Sequence, residues 1–460
     1  MLKLFKSSWL RLLIIPYIFF LILIFSYGIY LKTIPVSYWD EFLWVGRSYF
    51  FEFYIHEDYK NEIWKTYESY DQPKLAEYVY GAWLYPKYLK EKQQNVNLYD
   101  YTQFLIKNGF YEIDETYIKT YTDYKKNSNF IKYDIDFFGF PEDYLTKYGS
   151  NSLKTINLIY HARVLNILIL SGAVIFAYFL VSHFLGKFTA ILFTVFYGFN
   201  TLIIDSGLKA HSEALFLLTF NAAFLLMNLY FSKGRKFVYL LLFSLFSGLC
   251  MSTKINGLML TITFCISNTV LFFISKEKTI GHLFTFIVPV LISLIIFVYL
   301  NPFTFSNPIK NIQYMFNWRM NMAYNYQAEG NSHHHLIPNG ALRVKKIFQN
   351  FYFSNQVSLF NGIKILETLS KSKMYGIYQF ILFMIGSLYL FKLTIKKNIF
   401  AIVTLSSFIT ILVLMSYYLV LDWDRYYVHL LIFFIMFQIF GLIVLVKWFL
   451  KYTNLPIKAG

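Results

Sequence analysis

The chain has 460 residues, of which 57% are hydrophobic and only 15% are charged, and its mean hydropathy is +0.45. Soluble domains carry about 25% charged residues, so this composition excludes an ordinary soluble protein. A net charge of +16 would suggest nucleic-acid binding in a soluble chain. Here we assign the excess of Lys and Arg to cytoplasmic loops of a membrane protein, and we expect no nucleic-acid partner.

Apolar runs of about 20 residues recur along the chain, the length that a helix needs to cross the hydrocarbon core of a bilayer. They predict an all-α integral membrane protein with about ten transmembrane helices. The run nearest the N-terminus lacks a small-residue cleavage site, so we expect a retained span and not a signal peptide. The ten segments are 12–31, 157–183, 188–204, 213–231, 237–253, 256–274, 280–300, 374–392, 399–420 and 428–449.

Short loops with many basic residues alternate along the chain with short loops that have few. Counting from a cytoplasmic N-terminus, the short outer loops hold only Lys209, Lys254 and Arg425, whereas the inner loops and tails hold many Lys and Arg residues. The positive-inside rule then predicts that both termini are cytoplasmic. The chain is expected in the plasma (inner) membrane.

Two outer segments, residues 32–156 and 301–373, are long, and we treat 1–460 as a single transmembrane domain that carries both of them. The first alternates aromatic and charged residues, as in 50–54 and 78–83. This pattern favours amphipathic helices lying along the membrane surface. A small soluble cap domain is the alternative. Cys250 and Cys265 fall inside spans and are interpreted as small core residues.

Two adjacent acids, Asp40 and Glu41, follow the first span within about ten residues. Acids in such a place are often solvated or cap the next helix. A pair at the membrane surface, ahead of a long polar segment, is also a candidate for catalysis at the interface.

Further short motifs follow the acidic pair along the chain. They are Asp-Gln-Pro-Lys-Leu at 71–75, Arg163 at the second span, Asp205–Leu215, Gly248–Lys254, Asn301-Pro302 and Asp422–Tyr427. In this order the motifs resemble the polyprenyl-phosphate-sugar glycosyltransferases of the C-type (GT-C) membrane superfamily, which include the protein O-mannosyltransferases and the lipid A aminoarabinose transferases. Residues 71–75 stand where that family has His-Pro-Pro-Leu, and only Pro73 is kept there.

The resemblance implies an inverting transfer of a sugar from a polyprenyl phosphate to an acceptor hydroxyl on the extracytoplasmic face. Asp40 is the implied general base. Glu41 and Glu213 would position the acceptor or, with Asp40, hold a divalent cation. No cofactor is certain. The leaving phosphate needs cations, and the implied ones are Arg425, then Lys254 and Lys209, with Tyr426 beside them.

Further candidates are less specific. Asp71, Pro73, His211 and Asp205 are assigned to acceptor binding or to support of the site, and Asp205 is the alternative to Glu213 as the second acid. His333–His335 invite a metal-binding interpretation, but adjacent residues do not converge on one ion in regular structure, and loop histidines are usually solvated.

Two other functional classes remain open from the sequence. A transporter or lipid flippase should carry ionisable residues near the middle of the bilayer, whereas these spans are nearly free of charge. A polysaccharide polymerase or ligase would use outer arginines and a histidine, which Arg425 and His211 could supply. The expected partners are a polyprenyl-phosphate-linked sugar, a lipid, glycan or protein acceptor, and the membrane.

Overall fold

The computed structural model describes most of the chain, and all regular secondary structure in the described ranges is helical. The apolar runs form helices because a helix satisfies the hydrogen bonds of its own backbone, while its Leu, Ile and Phe side chains are buried or face lipid. The described residues are 8–31, 33–34, 38–95, 100–108, 110, 149–274, 285–328, 337–352, 373–418 and 424–452.

The α-helices are numbered here in chain order. They are α1 (Ser8–Tyr30), α2 (Tyr38–Gly46), α3 (Phe50–Ile55), α4 (Tyr67–Asp71), α5 (Leu75–Gln94), α6 (Tyr101–Lys107), α7 (Gly149–Leu185), α8 (Lys187–Gly198), α9 (Thr201–Leu208), α10 (Glu213–Ser232), α11 (Phe237–Thr253), α12 (Leu258–Ile274), α13 (Ile287–Tyr299), α14 (Pro308–Ala328), α15 (Gly340–Tyr352), α16 (Lys373–Ile395), α17 (Ile399–Tyr418) and α18 (Leu431–Tyr452).

Each of the ten predicted apolar segments coincides with apolar helix in the described ranges. Seven helices (α1, α7, α10, α12, α16, α17 and α18) are long and apolar enough to cross a membrane, and three shorter apolar helices (α8, α11 and α13) accompany them. The prediction of an all-α, multi-spanning membrane protein is therefore confirmed. The predicted count of about ten includes the three shorter helices.

The third predicted segment, 188–204, is not one continuous helix. Helix α8 ends at Gly198, and the backbone of Asn200 is extended. The Asn200 side chain accepts a hydrogen bond from the Leu202 amide at 2.9 Å. An Asn in this position caps the start of the next helix, α9. Because apolar residues continue across the break, hydropathy by itself does not reveal it.

Two buried clusters organise the described residues. The larger one joins the apolar helices with one another. The smaller one, here called the first-loop cluster, packs aromatic side chains of α3, α5 and α6 against the beginning of α7 at Leu158, Ile159 and Ala162. Helix α7 takes part in both clusters, so it fixes the first-loop helices relative to the membrane-spanning helices.

The two long segments that the sequence predicts to be outer meet at α4, and the names first and second outer segment are kept for them below. Helix α13 ends before Asn301, a 3₁₀ turn follows at Pro302–Thr304, and α14 then packs beside α4. The Tyr70 ring contacts Phe303 and Tyr314, with ring centroids 5.2 and 5.0 Å apart. The start of α14 is therefore held close to the first-loop helices.

Candidate active site

A buried ion pair lies where α10 begins and α11 ends. Glu213 is the first residue of α10, where the helix dipole favours a carboxylate, and Lys254 directly follows α11. The Lys254 Nζ and Glu213 Oε1 atoms are 2.5 Å apart, and the Glu213 side chain is only 1% exposed. The second acid and one of the cations predicted from the sequence are thus brought together, 41 residues apart in the chain.

His211 stands on the other side of the same carboxylate. Its Nδ1 atom is 3.6 Å from the second oxygen, Oε2, of Glu213, and the histidine is buried. The Glu213 carboxylate is therefore placed between a lysine and a histidine. The structure brings His211 to Glu213, as the sequence-based assignment expects of a supporting residue, and its role stays a prediction.

Arg425 and Tyr426 approach this pair from the 3₁₀ turn that precedes α18. The Lys254 Nζ atom lies 5.6 Å from the centre of the Tyr426 ring, and the Arg425 Cζ atom lies 5.8 Å from the same centre. Both distances are in the range of cation–π contacts. One aromatic ring therefore holds two of the predicted phosphate-binding cations near each other.

Glu41 is fully buried and is gripped by Arg163 of α7. The guanidinium donates from Nε to Oε1 and from Nη2 to Oε2, each at 2.6 Å, in a bidentate pair. The Ala210 amide also donates to Oε1 at 2.7 Å. Glu41 thereby ties α2 to α7 and to the segment before α10.

Asp40 lies next to Glu41 in α2, but its side chain lies outside the described part of the structure. Helix α2 is tied through its next residue, Glu41, to the Ala210 amide. The assignment of Asp40 as general base stays a prediction.

Tyr80 and Asn166 were not identified from the sequence, yet they hold the segment that carries His211. The Tyr80 hydroxyl is 2.5 Å from the His211 carbonyl oxygen and 3.0 Å from Asn166 Oδ1. The Asn166 amide in turn donates to the Lys209 carbonyl oxygen. A Tyr in an aromatic-rich helix gives no sequence signal for such a role, because α5 contains several similar residues.

Asp71 joins the two outer segments. Its Oδ2 accepts from Arg47 Nη1 at 2.7 Å, and its Oδ1 accepts from Arg319 Nη1 of α14 at 2.6 Å. Burial would raise the pKa of Asp71, but the charges of Arg319 and Arg47 outweigh burial and hold this pKa at about 2. Both arginines were missed in the sequence, where each is a single cation among aromatic residues.

The residues after Asp71 complete this junction. Pro73 is buried, and the amide of Lys74 donates to Asn301 Oδ1 at 3.0 Å. The Lys74 ammonium pairs with Glu77 at 2.9 Å and donates to the Glu68 carbonyl oxygen. Burial raises the pKa of Glu77 to about 7 despite the opposing charges of Lys74 and Arg47. The segment that fits the family motif only at Pro73 is thus a structural joint between the outer segments.

Lys209 and Asp205 form a separate, more exposed pair. Their charged atoms are 3.1 Å apart, and their side chains are 19% and 57% exposed. In the described ion pairs Glu213 is engaged by Lys254 and His211, not by either of these residues. Glu213 is therefore the buried acid of the two and Asp205 the more exposed one, while the roles of Glu213, Asp205 and Lys209 stay predictions.

A metal site was left open by the sequence. Within the described residues, no group of three or more His, Cys, Asp or Glu side chains could hold a metal ion. The Asp40 side chain and His333–His335 lie outside the described residues. Lys254 already occupies one oxygen of Glu213, which makes that carboxylate a weak choice of metal ligand.

Comparison with known proteins identifies one family. The sequence pattern of the dolichyl-phosphate-mannose-protein mannosyltransferase family matches residues 110–308. No curated protein matches the chain at a significant level. The matched range contains Arg163, the segment before α10, Glu213, Lys254 and Asn301, whereas Asp40, Asp71 and Arg425 lie outside it.

The match agrees with the geometry. Its range runs through α7 to α13 and includes the buried acid, its lysine partner and the asparagine that binds the first-loop segment. The family uses a polyprenyl-phosphate-linked mannose donor, so the match indicates a membrane glycosyltransferase. Residues 110–308 are thus similar to the dolichyl-phosphate-mannose-protein mannosyltransferases, a family of the C-type membrane glycosyltransferase superfamily that the sequence motifs also resemble.

Proposed function

We propose that this protein transfers a sugar, mannose in the first instance, from a polyprenyl phosphate to an acceptor hydroxyl on the extracytoplasmic face of the membrane. The observation that carries the proposal is the buried Glu213–Lys254 pair beside Arg425 and Tyr426. It puts an acid and two cations at the ends of apolar helices, where a lipid-linked substrate with a charged head would present its phosphate.

The acceptor must lose a proton as its oxygen attacks the anomeric carbon, and Asp40 is the proposed general base. Its neighbour Glu41 is fully engaged by Arg163 and Ala210, so we assign Glu41 to holding α2 in place. This division gives the two adjacent acids different tasks: Asp40 receives the proton, and Glu41 fixes the position from which it does so.

The sugar leaves a phosphate, which is already a good leaving group and needs no protein acid. Arg425 and Lys254 hold the charge that develops on the phosphate oxygen. Because both are fixed around the Tyr426 ring before substrate arrives, little rearrangement is required in the transition state. A single displacement of this type inverts the anomeric centre. Glu213 and His211 line the acceptor side of the lysine and position the attacking hydroxyl.

The acceptor and the membrane face are parts of the same proposal. The matched family is named for transfer to proteins, so a Ser or Thr hydroxyl of a protein is the first acceptor to test, followed by lipid and glycan hydroxyls. The paucity of basic residues in the short loops around the site supports an extracytoplasmic position.

The test is transfer from radiolabelled polyprenyl-phosphate mannose to a Ser/Thr-rich peptide by the purified protein in vesicles. We expect Asp40→Asn to lower the turnover rate by at least about 100-fold, which is the usual share of a general base. Glu62→Gln, a change of the same kind at a 76% exposed carboxylate, is the matched control and should leave the rate unchanged.

Full activity of Asp40→Asn would refute the base assignment. Absence of transfer from the monophosphate donor, with transfer from a polyprenyl-diphosphate-linked glycan, would instead favour a polysaccharide polymerase or ligase. Movement of the labelled lipid across the bilayer without sugar transfer would favour a flippase.

A further inference from the structure

Arg319 of α14 shares a single carboxylate with a second arginine. Asp71 binds Arg319 through one oxygen and Arg47 through the other, at 2.6 and 2.7 Å. A carboxylate that pairs with one guanidinium usually accepts both of its hydrogen bonds. Because Asp71 carries one negative charge for two guanidiniums, one positive charge remains in excess within this trio.

The two arginines differ in their access to solvent. The Arg47 side chain is 6% exposed, whereas the Arg319 side chain is 31% exposed. Arg319 donates a hydrogen bond from Nη1 to Asp71. It donates another from Nη2 to the Gln72 side-chain oxygen, when that amide is oriented with its oxygen toward the guanidinium. A guanidinium has five N–H donors, so Arg319 is oriented along one edge and retains donors on its open side.

Arg319 also lies near the buried ion pair. Met315, one turn before Arg319 in α14, packs in one cluster with Met251 and Ile255, which flank Lys254 in the chain. Burial lowers the pKa of Lys254, Glu213 opposes that shift, and the positive charges of Arg425 and Arg319 add to it. Three cations thus converge from the end of α11, from α14 and from the turn before α18. Bringing like charges together costs free energy, and an anion placed among them recovers it.

We propose that Arg319 is a third ligand of the donor phosphate and that Asp71 is the residue that positions it. The inference rests on the proposed function and extends its phosphate site from the helix ends to the second outer segment. The planar guanidinium suits phosphate oxygens better than the point charge of an ammonium group.

Arg319 acts on the product side of the reaction. When the bond between the anomeric carbon and the phosphate oxygen breaks, its electron pair stays on that oxygen. The acceptor oxygen bonds to the anomeric carbon, and its proton passes to Asp40. The phosphate changes from a diester with one negative charge to a monoester with up to two, so the third cation matters most for the polyprenyl phosphate that is released.

The first test measures lipid binding, which does not depend on transfer. The full chain in lipid nanodiscs is titrated with polyprenyl monophosphate and, separately, with the uncharged polyprenol. We expect wild type to prefer the phosphate and Arg319→Ala to lose about tenfold of that preference, the value of one charge-assisted hydrogen-bonded contact. Lys65→Gln, at a 62% exposed cation of the first outer segment, is the control.

Arg319→Gln is a second variant that keeps a donor for Asp71 and so protects the fold. An unchanged preference in either folded variant would overturn the inference. Arg319→Lys should fall between wild type and Arg319→Ala, because it restores the charge but not the planar geometry.

The role of Asp71 is tested by kinetics. Asp71→Asn should raise the donor KM and weaken inhibition by polyprenyl phosphate, with little change in the acceptor KM. Combined with Arg319→Ala it should add little further, because both changes disturb one contact. Additive losses in the double variant would refute the positioning role.

The two proposals fail in different ways. If the wild-type protein prefers polyprenyl phosphate to polyprenol but transfers no sugar, the proposed function is refuted and the phosphate site is still supported. If the wild-type protein transfers sugar and the Arg319 variants bind polyprenyl phosphate as the wild type does, Arg319 is not a phosphate ligand and the proposed function still holds.

Discussion

The contact between Glu213 and Lys254 places two charged groups in a buried position, although burial normally disfavours charge. Removing both charges from water costs several kcal/mol per ion in a protein interior, and the pair recovers that cost only with close geometry and further partners. The 2.5 Å approach supplies the close geometry, and the Tyr426 ring lies 5.6 Å from Lys254 Nζ. His211 Nδ1, at 3.6 Å from Glu213 Oε2, is too far away for a hydrogen bond, so the second carboxylate oxygen is poorly compensated. A buried ion pair is a weak source of stability, so we attribute its presence to the chemistry of the site.

This attribution predicts a separation between stability and activity. Lys254→Met leaves the Glu213 carboxylate without its closest partner and should lower the free energy of unfolding by about 3 kcal/mol. The double variant Glu213→Gln/Lys254→Met removes both charges and should recover most of that stability. Thermal unfolding in detergent measures the first effect, and transfer from the lipid donor measures the second.

The double variant should remain inactive, with turnover lowered by at least about 100-fold, because the leaving phosphate has lost a cation. Recovery of activity together with stability would show that the pair serves the fold and not the reaction. Lys65→Met, at the exposed Lys65–Glu62 pair, is the matched control and should change neither the free energy of unfolding nor the turnover rate.

At the scale of helices, the site depends on one short segment. Residues 209–212 connect α9 to α10 and are held by Glu41 of α2, by Tyr80 of α5 and by Asn166 of α7. Three helices thus grip the backbone on which His211 sits and from which Glu213 starts. The first outer segment contributes to the site through this grip as well as through any group that touches substrate.

Tyr80→Phe tests that contribution. The variant keeps the ring in the first-loop cluster and removes the hydroxyl beside the His211 carbonyl oxygen, so the loss of stability should be about 1 kcal/mol. We expect turnover to fall about tenfold with the donor KM nearly unchanged, since small misplacements of reacting groups are costly. Tyr88→Phe on the same helix is the control, and an equal loss there would refute a specific role for Tyr80.

The sequence predicts the helices well and their mutual contacts poorly. Runs of Leu, Ile and Phe locate the apolar helices because burial of such runs leaves few alternatives, although the Asn200 break is hidden by apolar residues on both sides. The Glu41–Arg163 and Asp71–Arg319 contacts span 122 and 248 residues. Such pairs depend on how helices pack, and no local pattern specifies that packing.

At the scale of the whole molecule, the proposed chemistry requires one particular orientation in the membrane. The site groups collect at one end of the helical bundle, where the first-loop cluster, the end of α13 and the start of α14 meet. Basic residues such as Lys236 and Lys397 occupy short connections that the charge pattern assigns to the opposite, cytoplasmic side. An extracytoplasmic site and cytoplasmic basic loops are thus a single hypothesis.

Single cysteines provide the test of orientation. In a background with Cys250→Ser and Cys265→Ser, we place Glu62→Cys in the first outer segment and Lys397→Cys in the connection between α16 and α17. A membrane-impermeant maleimide applied to intact cells should label Glu62→Cys at once, because that side chain is 76% exposed, and should label Lys397→Cys only after permeabilisation. The reverse pattern would place the site in the cytoplasm, where the donor would have to be presented by the inner leaflet, and the cysteine-free background controls for labelling elsewhere.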